Sequence, residues 1–192
     1  MIKVFFMMIC FIGNQFISFA QDKKTCCSTD KSVSFASFSN EKEFRDIHQI
    51  PAAFTLKDAK GKMITFNTED GKSANGYFIK SDKPTEKFIF VFHEWWGLND
   101  YVKKESDELK EKLGDVNILA IDLYDGNVAD NREDAAKFMQ SVKDERALNI
   151  IRGAINFAGK DAKVGTIGWC FGGGWSLQAS ILLGKQGRAC VM

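Results

Sequence analysis

The run from Lys163 to Gly174, Lys-Val-Gly-Thr-Ile-Gly-Trp-Cys-Phe-Gly-Gly-Gly, restricts the possible folds of this chain more than any other stretch. A short β-prone run ends in Gly168-x-Cys170-x-Gly172, and a helix-compatible segment, Trp175 to Leu183, follows at once. That order predicts a nucleophile elbow, in which a strand turns so sharply into a helix that the central side chain is thrown clear of the backbone. The neighbours of such a turn must be small, and Gly168 and Gly172 meet that need. The side chain presented is the thiol of Cys170.

A free cysteine, with a pKa of about 8.5, is mostly protonated at neutral pH. A place at a helix N-terminus favours its anion through the helix dipole and the unpaired amides there. The same amides offer an oxyanion hole, with the Phe171 N–H as one donor. The plainer alternative is a small apolar residue buried at a Gly-rich turn, as many free cysteines are.

Upstream, Lys87-Phe88-Ile89-Phe90-Val91-Phe92 reads as a buried strand, and it runs into His93-Glu94-Trp95-Trp96-Gly97-Leu98. With Asp122-Leu123-Tyr124 between them, the Glu94 stretch and the Cys170 elbow resemble the dienelactone hydrolase family of α/β-hydrolases. The resemblance runs from about Lys62 to the last residue. It implies that Cys170 is the nucleophile and that Glu94 is the carboxylate that contacts the thiol and helps to deprotonate it. It also implies that the Trp95 and Phe171 amides form the oxyanion hole. An arginine in roughly the region of Arg132 holds a substrate carboxylate in such enzymes, although a solvated helix charge explains Arg132 as well. Trp95, Trp96 and Tyr124 point to an apolar or planar acyl group, with core packing as the alternative.

In this fold the acid and the histidine follow the nucleophile in chain order. No Asp, Glu or His stands after Cys170. The expectation is therefore an N-terminal portion of a hydrolase, truncated after the strand that follows the nucleophile helix and inactive alone. Ala189 to Met192 reads as the start of that strand, placed beside the elbow strand. His93 precedes Glu94 directly, so in an extended segment their side chains point to opposite sides. Glu94 is assigned to the Cys170 side, with His93 as the alternative base. His48, a lone histidine near Pro51, reads as a surface residue without a role.

The predicted fold class is α/β, with an α/β-hydrolase fold: a mostly parallel sheet with helices on both faces. Three β-prone runs, Phe54 to Lys57, Met63 to Asn67 and Ala74 to Lys80, predict an opening meander. A helix capped by Asn99 or Asp100 carries Tyr101, Val102, Leu109 and Leu113 near one stripe and stops at Gly114. Val116 to Ile121 is the next strand. Two helical patterns lie between Asn131 and Gly159, the second with Ala147, Ile151, Ala154, Ile155 and Ala158 at clean helical spacing.

Lys3, the apolar run Val4 to Ile12 and Ser18-Phe19-Ala20 predict a signal peptide over 1–20, hence an exported, periplasmic or secreted protein with no membrane attachment after cleavage. Residues 21–45 read as a flexible linker and 46–192 as the hydrolase domain. A formal charge of +1 with no basic stripe argues against nucleic-acid binding. The expected partner is a small-molecule ester or lactone, with no cofactor and no metal. Two rival readings stay open: a non-catalytic binding or scaffold protein on the same fold, and a redox or metal site at Cys26-Cys27, which could instead pair with Cys190.

Overall fold

The computed structural model describes residues 37–192. The expected signal peptide, Cys10, Cys26, Cys27 and most of the expected linker lie outside the described residues. Within them, six strands form one sheet in the order β1-β2-β4-β3-β5-β6. The strands are β1 (Lys62–Asn67), β2 (Ser73–Ile79), β3 (Lys87–Phe92), β4 (Asn117–Ile121), β5 (Lys163–Gly168) and β6 (Gly187–Val191). β1, β2 and β4 pair antiparallel in turn. The β4-β3-β5-β6 part is parallel, and β6 lies beside β5 as expected from Ala189 to Met192.

The continuous apolar runs of the parallel strands follow from burial on both sides of the sheet. Phe90, Phe92, Leu119 and Ile121 enter one core with Ala147, Ile150, Ile151 and Ala154. Their neighbours Val91, Ile118 and Ala120 point the other way, into a second core with Val102 and Val116. Helices α2 (Asp100–Leu113), α3 (Arg132–Ser141), α4 (Asp144–Ala158) and α5 (Phe171–Leu183) cover these faces. Asn99 caps α2 by accepting a hydrogen bond from Val102 N at 3.1 Å, and Gly114 ends it with a φ of 70°. A buried polar seam pins α5 to β5: Ser176 Oγ donates to Thr166 Oγ1 at 2.9 Å, and Thr166 Oγ1 donates to Ser176 O at 3.0 Å.

Three expectations fail. Phe54 to Lys57 is not a strand; residues 48–60 are irregular and meet α2 through side-chain caps, such as Leu56 N donating to Asp100 Oδ2 at 3.0 Å. The packed face of α2 is more polar than the expected stripe. Val102, Ser106, Asp107 and Lys110 are buried, whereas Tyr101 and Leu113 are exposed. Asp107 replaces an apolar contact with a bond, accepting from Tyr77 Oη at 2.7 Å. The linker expectation fails at its C-terminal end, where a 3-10 turn (Ser37–Asn40) and helix α1 (Lys42–Ile47) pack on the domain. Ser39 is fully buried there, and Gln140 of α3 donates to its hydroxyl at 2.8 Å. Among the described residues, no helix is long and apolar enough to cross a membrane.

Candidate active site

Cys170 sits between β5 and α5 with φ 52° and ψ −119°, a conformation L-residues avoid unless the surroundings impose it. The surroundings do so here. Gly172 N donates to Trp169 O at 2.8 Å and Gly173 N to Cys170 O at 3.0 Å, which locks the turn. The two flanking glycines lie against backbone on which no Cβ would fit. The elbow expected from the sequence is therefore present, with the thiol half-buried at its apex.

β3 is the strand next to β5, and Phe92 is in register with Gly168. Glu94 therefore leaves the same end of the sheet as Cys170. Its carboxyl is half-buried, and burial raises its pKa. His93 faces the interior and is fully buried. Its Nδ1 lies 2.6 Å from Glu94 O and its Nε2 accepts from Leu123 N at 3.1 Å. With both nitrogens bound to backbone and its pKa pushed down to about 4 by burial, His93 is a neutral brace between the loops after β3 and β4. It cannot act as the base for Cys170.

Tyr124 belongs to the same brace. It is buried, and its hydroxyl donates to Trp95 O at 3.2 Å, which fixes the turn that follows Glu94. Asp122 holds the backbone beneath it, accepting from Tyr124 N at 2.9 Å and Gly126 N at 2.6 Å. Tyr124 thus shapes the loop instead of facing a substrate, and burial holds its phenol well above the usual range. Trp95 is fully buried as well, so its indole belongs to the core.

The residue that sequence reasoning missed is His48. It follows α1, and its Nε2 lies 3.4 Å from Cys170 Sγ. The ring stacks on Phe44 with centroids 4.1 Å apart and stands edge-on to Trp95 at 5.3 Å. Its Nδ1 is 2.6 Å from Phe44 O. Arg132, the candidate for a substrate carboxylate, is engaged by this segment: its Nε donates to His48 O at 3.1 Å. The only local sign of the arrangement was the Phe44–His48 spacing, which places both side chains on one side of a helical turn.

The electrostatics of the thiol run against a freely ionised cysteine. Burial pushes the Cys170 pKa up, the Phe171 backbone N–H pulls it down, and the charge of Glu94 pushes it up again. The helix amide acts as the sequence predicted, but desolvation outweighs it. Beside the thiol opens a cavity of about 700 Å³ lined by Glu94, Trp96, Tyr101, Trp169 and the 47–52 segment. Among the described residues, no group of three or more His, Cys, Asp or Glu side chains could hold a metal ion.

Residues 74–191 match the family model described as dienelactone hydrolase family. Among curated proteins, the chain is 33% identical over 123 residues to "Putative carboxymethylenebutenolidase" of Aquifex aeolicus, covering 59% of this chain and 52% of that protein. It is 30% identical over 127 residues to "Protein usf" of Aquifex pyrophilus, covering 61% and 54%. The chain spans about half the length of these curated relatives. A dienelactone hydrolase-like promiscuous phosphotriesterase from metagenomic libraries superposes with a TM-score of 0.54 at 20% identity, over 69% of this chain and 59% of that one. The dienelactone hydrolase of Anabaena variabilis gives 0.50 at 16% identity, over 69% and 62%. Identities this low speak to the fold.

Proposed function

Because the chain belongs to the dienelactone hydrolase family, we propose that it serves the hydrolysis of a small carboxylic ester or lactone through a thioester on Cys170. The observation that carries this reading is the strained elbow, which holds a half-buried thiol within the field of the Glu94 carboxyl group, next to a cavity that Glu94, His48 and Trp169 line. The thiol loses its proton, its sulfur attacks the carbonyl carbon, and the Trp95 and Phe171 amides hold the oxyanion. Collapse expels the alkoxide, which takes up a proton, and water then cleaves the thioester. Glu94, with its pKa raised by burial, is the carboxylate beside the thiol that helps to remove its proton.

Export belongs to the same reading and rests on the Val4 to Ile12 run and Ser18-Phe19-Ala20. A mature N-terminus at Gln21 would bear that part out.

The test is hydrolysis of an activated phenyl ester and of a dienelactone by the protein, Cys170→Ser and Glu94→Gln. Both substitutions are expected to abolish or strongly slow turnover, and unchanged rates in both would remove these residues from the mechanism. A second reading, a non-catalytic binding protein on the same fold, draws on the burial that keeps the Cys170 thiol protonated. Slow alkylation of Cys170 at neutral pH, indistinguishable from that of a free thiol, would favour it.

A further inference from the structure

We propose that His48 is a catalytic base of this site: its Nε2, in contact with Cys170 Sγ at 3.4 Å, takes the thiol proton and hands it to the leaving group. The inference rests on the reading of Cys170 as nucleophile. It moves proton removal from Glu94 to an imidazole that enters the site from the N-terminal side of the domain.

The ring is set up for this transfer. The Phe44 carbonyl at Nδ1 can only accept, so Nδ1 carries the hydrogen of the neutral ring and Nε2 carries the lone pair. That lone pair faces the thiol. The ring is held by its stack on Phe44, by the edge of Trp95, and by the Arg132 bond to its own carbonyl. A surface histidine without a role needs none of these contacts.

Burial explains why a base in contact is needed. A desolvated thiol beside a carboxyl group ionises poorly by itself. Moving the proton from sulfur to Nε2 creates a thiolate and an imidazolium side by side, which low polarity penalises far less than a lone anion. The charges of Glu94 and His48 attract each other, so an ionised Glu94 supports the imidazolium. Arg132 on α3, bonded to the His48 carbonyl, and Glu105 across the cavity are further charged groups near this segment.

The S–H bond breaks and an Nε2–H bond forms; the thiolate adds to the carbonyl; the imidazolium protonates the departing alkoxide as the thioester forms. In the second half, Nε2 takes a proton from the attacking water, the tetrahedral adduct expels the thiolate, and the imidazolium returns the proton to sulfur.

The decisive measurement is the pH profile of Cys170 alkylation by iodoacetamide, read at that residue by mass spectrometry. It is run on the protein, His48→Gln, His48→Gly and Cys170→Ser, alongside ester hydrolysis and urea midpoints. Both His48 variants are expected to lose the low-pH limb of alkylation and to slow hydrolysis by roughly 10²-fold to 10⁴-fold. Added imidazole is expected to restore part of both in His48→Gly. An unchanged alkylation profile in both variants overturns the proposal, and so does a shifted profile that imidazole does not restore. Hydrolysis that survives Cys170→Ser would instead remove Cys170 as the nucleophile. The alkylation profile needs no substrate, so it decides about His48 in either case.

Discussion

Gly168 and Gly172 meet backbone to backbone at the elbow, so closely that a Cβ on Gly168 would lie 2.2 Å from the Gly172 carbonyl oxygen. A Cβ on Gly172 would lie 2.3 Å from Phe92 O and 2.4 Å from His93 O. Every one of these obstacles is backbone, so no side chain can swing aside. Gly172→Ala is expected to force α5 away from the end of β3, costing more than about 2 kcal/mol and slowing the reaction of Cys170. Gly174, in the same helix but with nothing near its missing Cβ, is the control: Gly174→Ala is expected to stabilise by about 0.5 kcal/mol or more. Urea midpoints of the two variants moving in the same direction would refute this account of the elbow.

Arg132 offers a test of position against recognition. Its Nε holds the His48 carbonyl, so Arg132→Gln is expected to loosen the imidazole and to lower hydrolysis of neutral and anionic esters by a similar factor, roughly tenfold. A residue binding a substrate carboxylate would instead lose the anionic ester selectively. Comparing kcat/KM for a matched pair of esters separates the two, and a selective loss would restore Arg132 to the substrate.

The parts of this architecture that were legible in the sequence are those whose causes are local. The elbow needs small residues at fixed offsets from Cys170, and the glycines advertise it. The strands β3 and β4 read as apolar runs because both of their faces are buried. The His48 contact joins residues 122 positions apart, and the Phe44–His48 spacing, its one local trace, does not point to Cys170. Helix α1 has only six residues, too few to show a periodic face. The polar face of α2 was hidden for a related reason: Ser106, Asp107 and Lys110 are buried because they find bonding partners, Tyr77 for Asp107 and the Gly114 carbonyl for Lys110. Periodicity counts apolar residues and cannot see such pairs.

Arg146 of α4 was equally invisible and is expected to matter for stability. Its guanidinium donates to Thr68 Oγ1 at 3.1 Å, to Ser73 O at 2.6 Å and to Asp125 Oδ1 at 2.6 Å, and it lies 3.4 Å from Asp70. One mostly buried fork therefore joins the β1–β2 turn to the loop after β4. Arg146→Ala leaves these acceptors without their donor and is expected to cost about 2 to 4 kcal/mol. Arg146→Lys keeps the charge but not the fork and should recover only a minor part. A full recovery by lysine, in chemical denaturation, would show that charge alone suffices there.

His93 makes the fold less stable as the pH falls. Its folded pKa of about 4 lies below the ordinary value of 6.5, so the unfolded chain binds the proton first as the pH falls. Stability is then complete above about pH 6.5 and is lost progressively down to about pH 4, by roughly 3 kcal/mol in all. Glu94 and Asp122 work in the opposite sense, because burial raises their folded pKa values and they favour the folded state as they become protonated. The observed slope is the difference between these contributions. Urea midpoints followed from neutral to acid pH, for the protein and for His93→Gln, isolate the histidine. The variant is expected to start lower, since a buried brace is weakened, and to fall less steeply on acidification. Parallel curves for the two proteins would mean that the ring at position 93 is not held neutral by its burial.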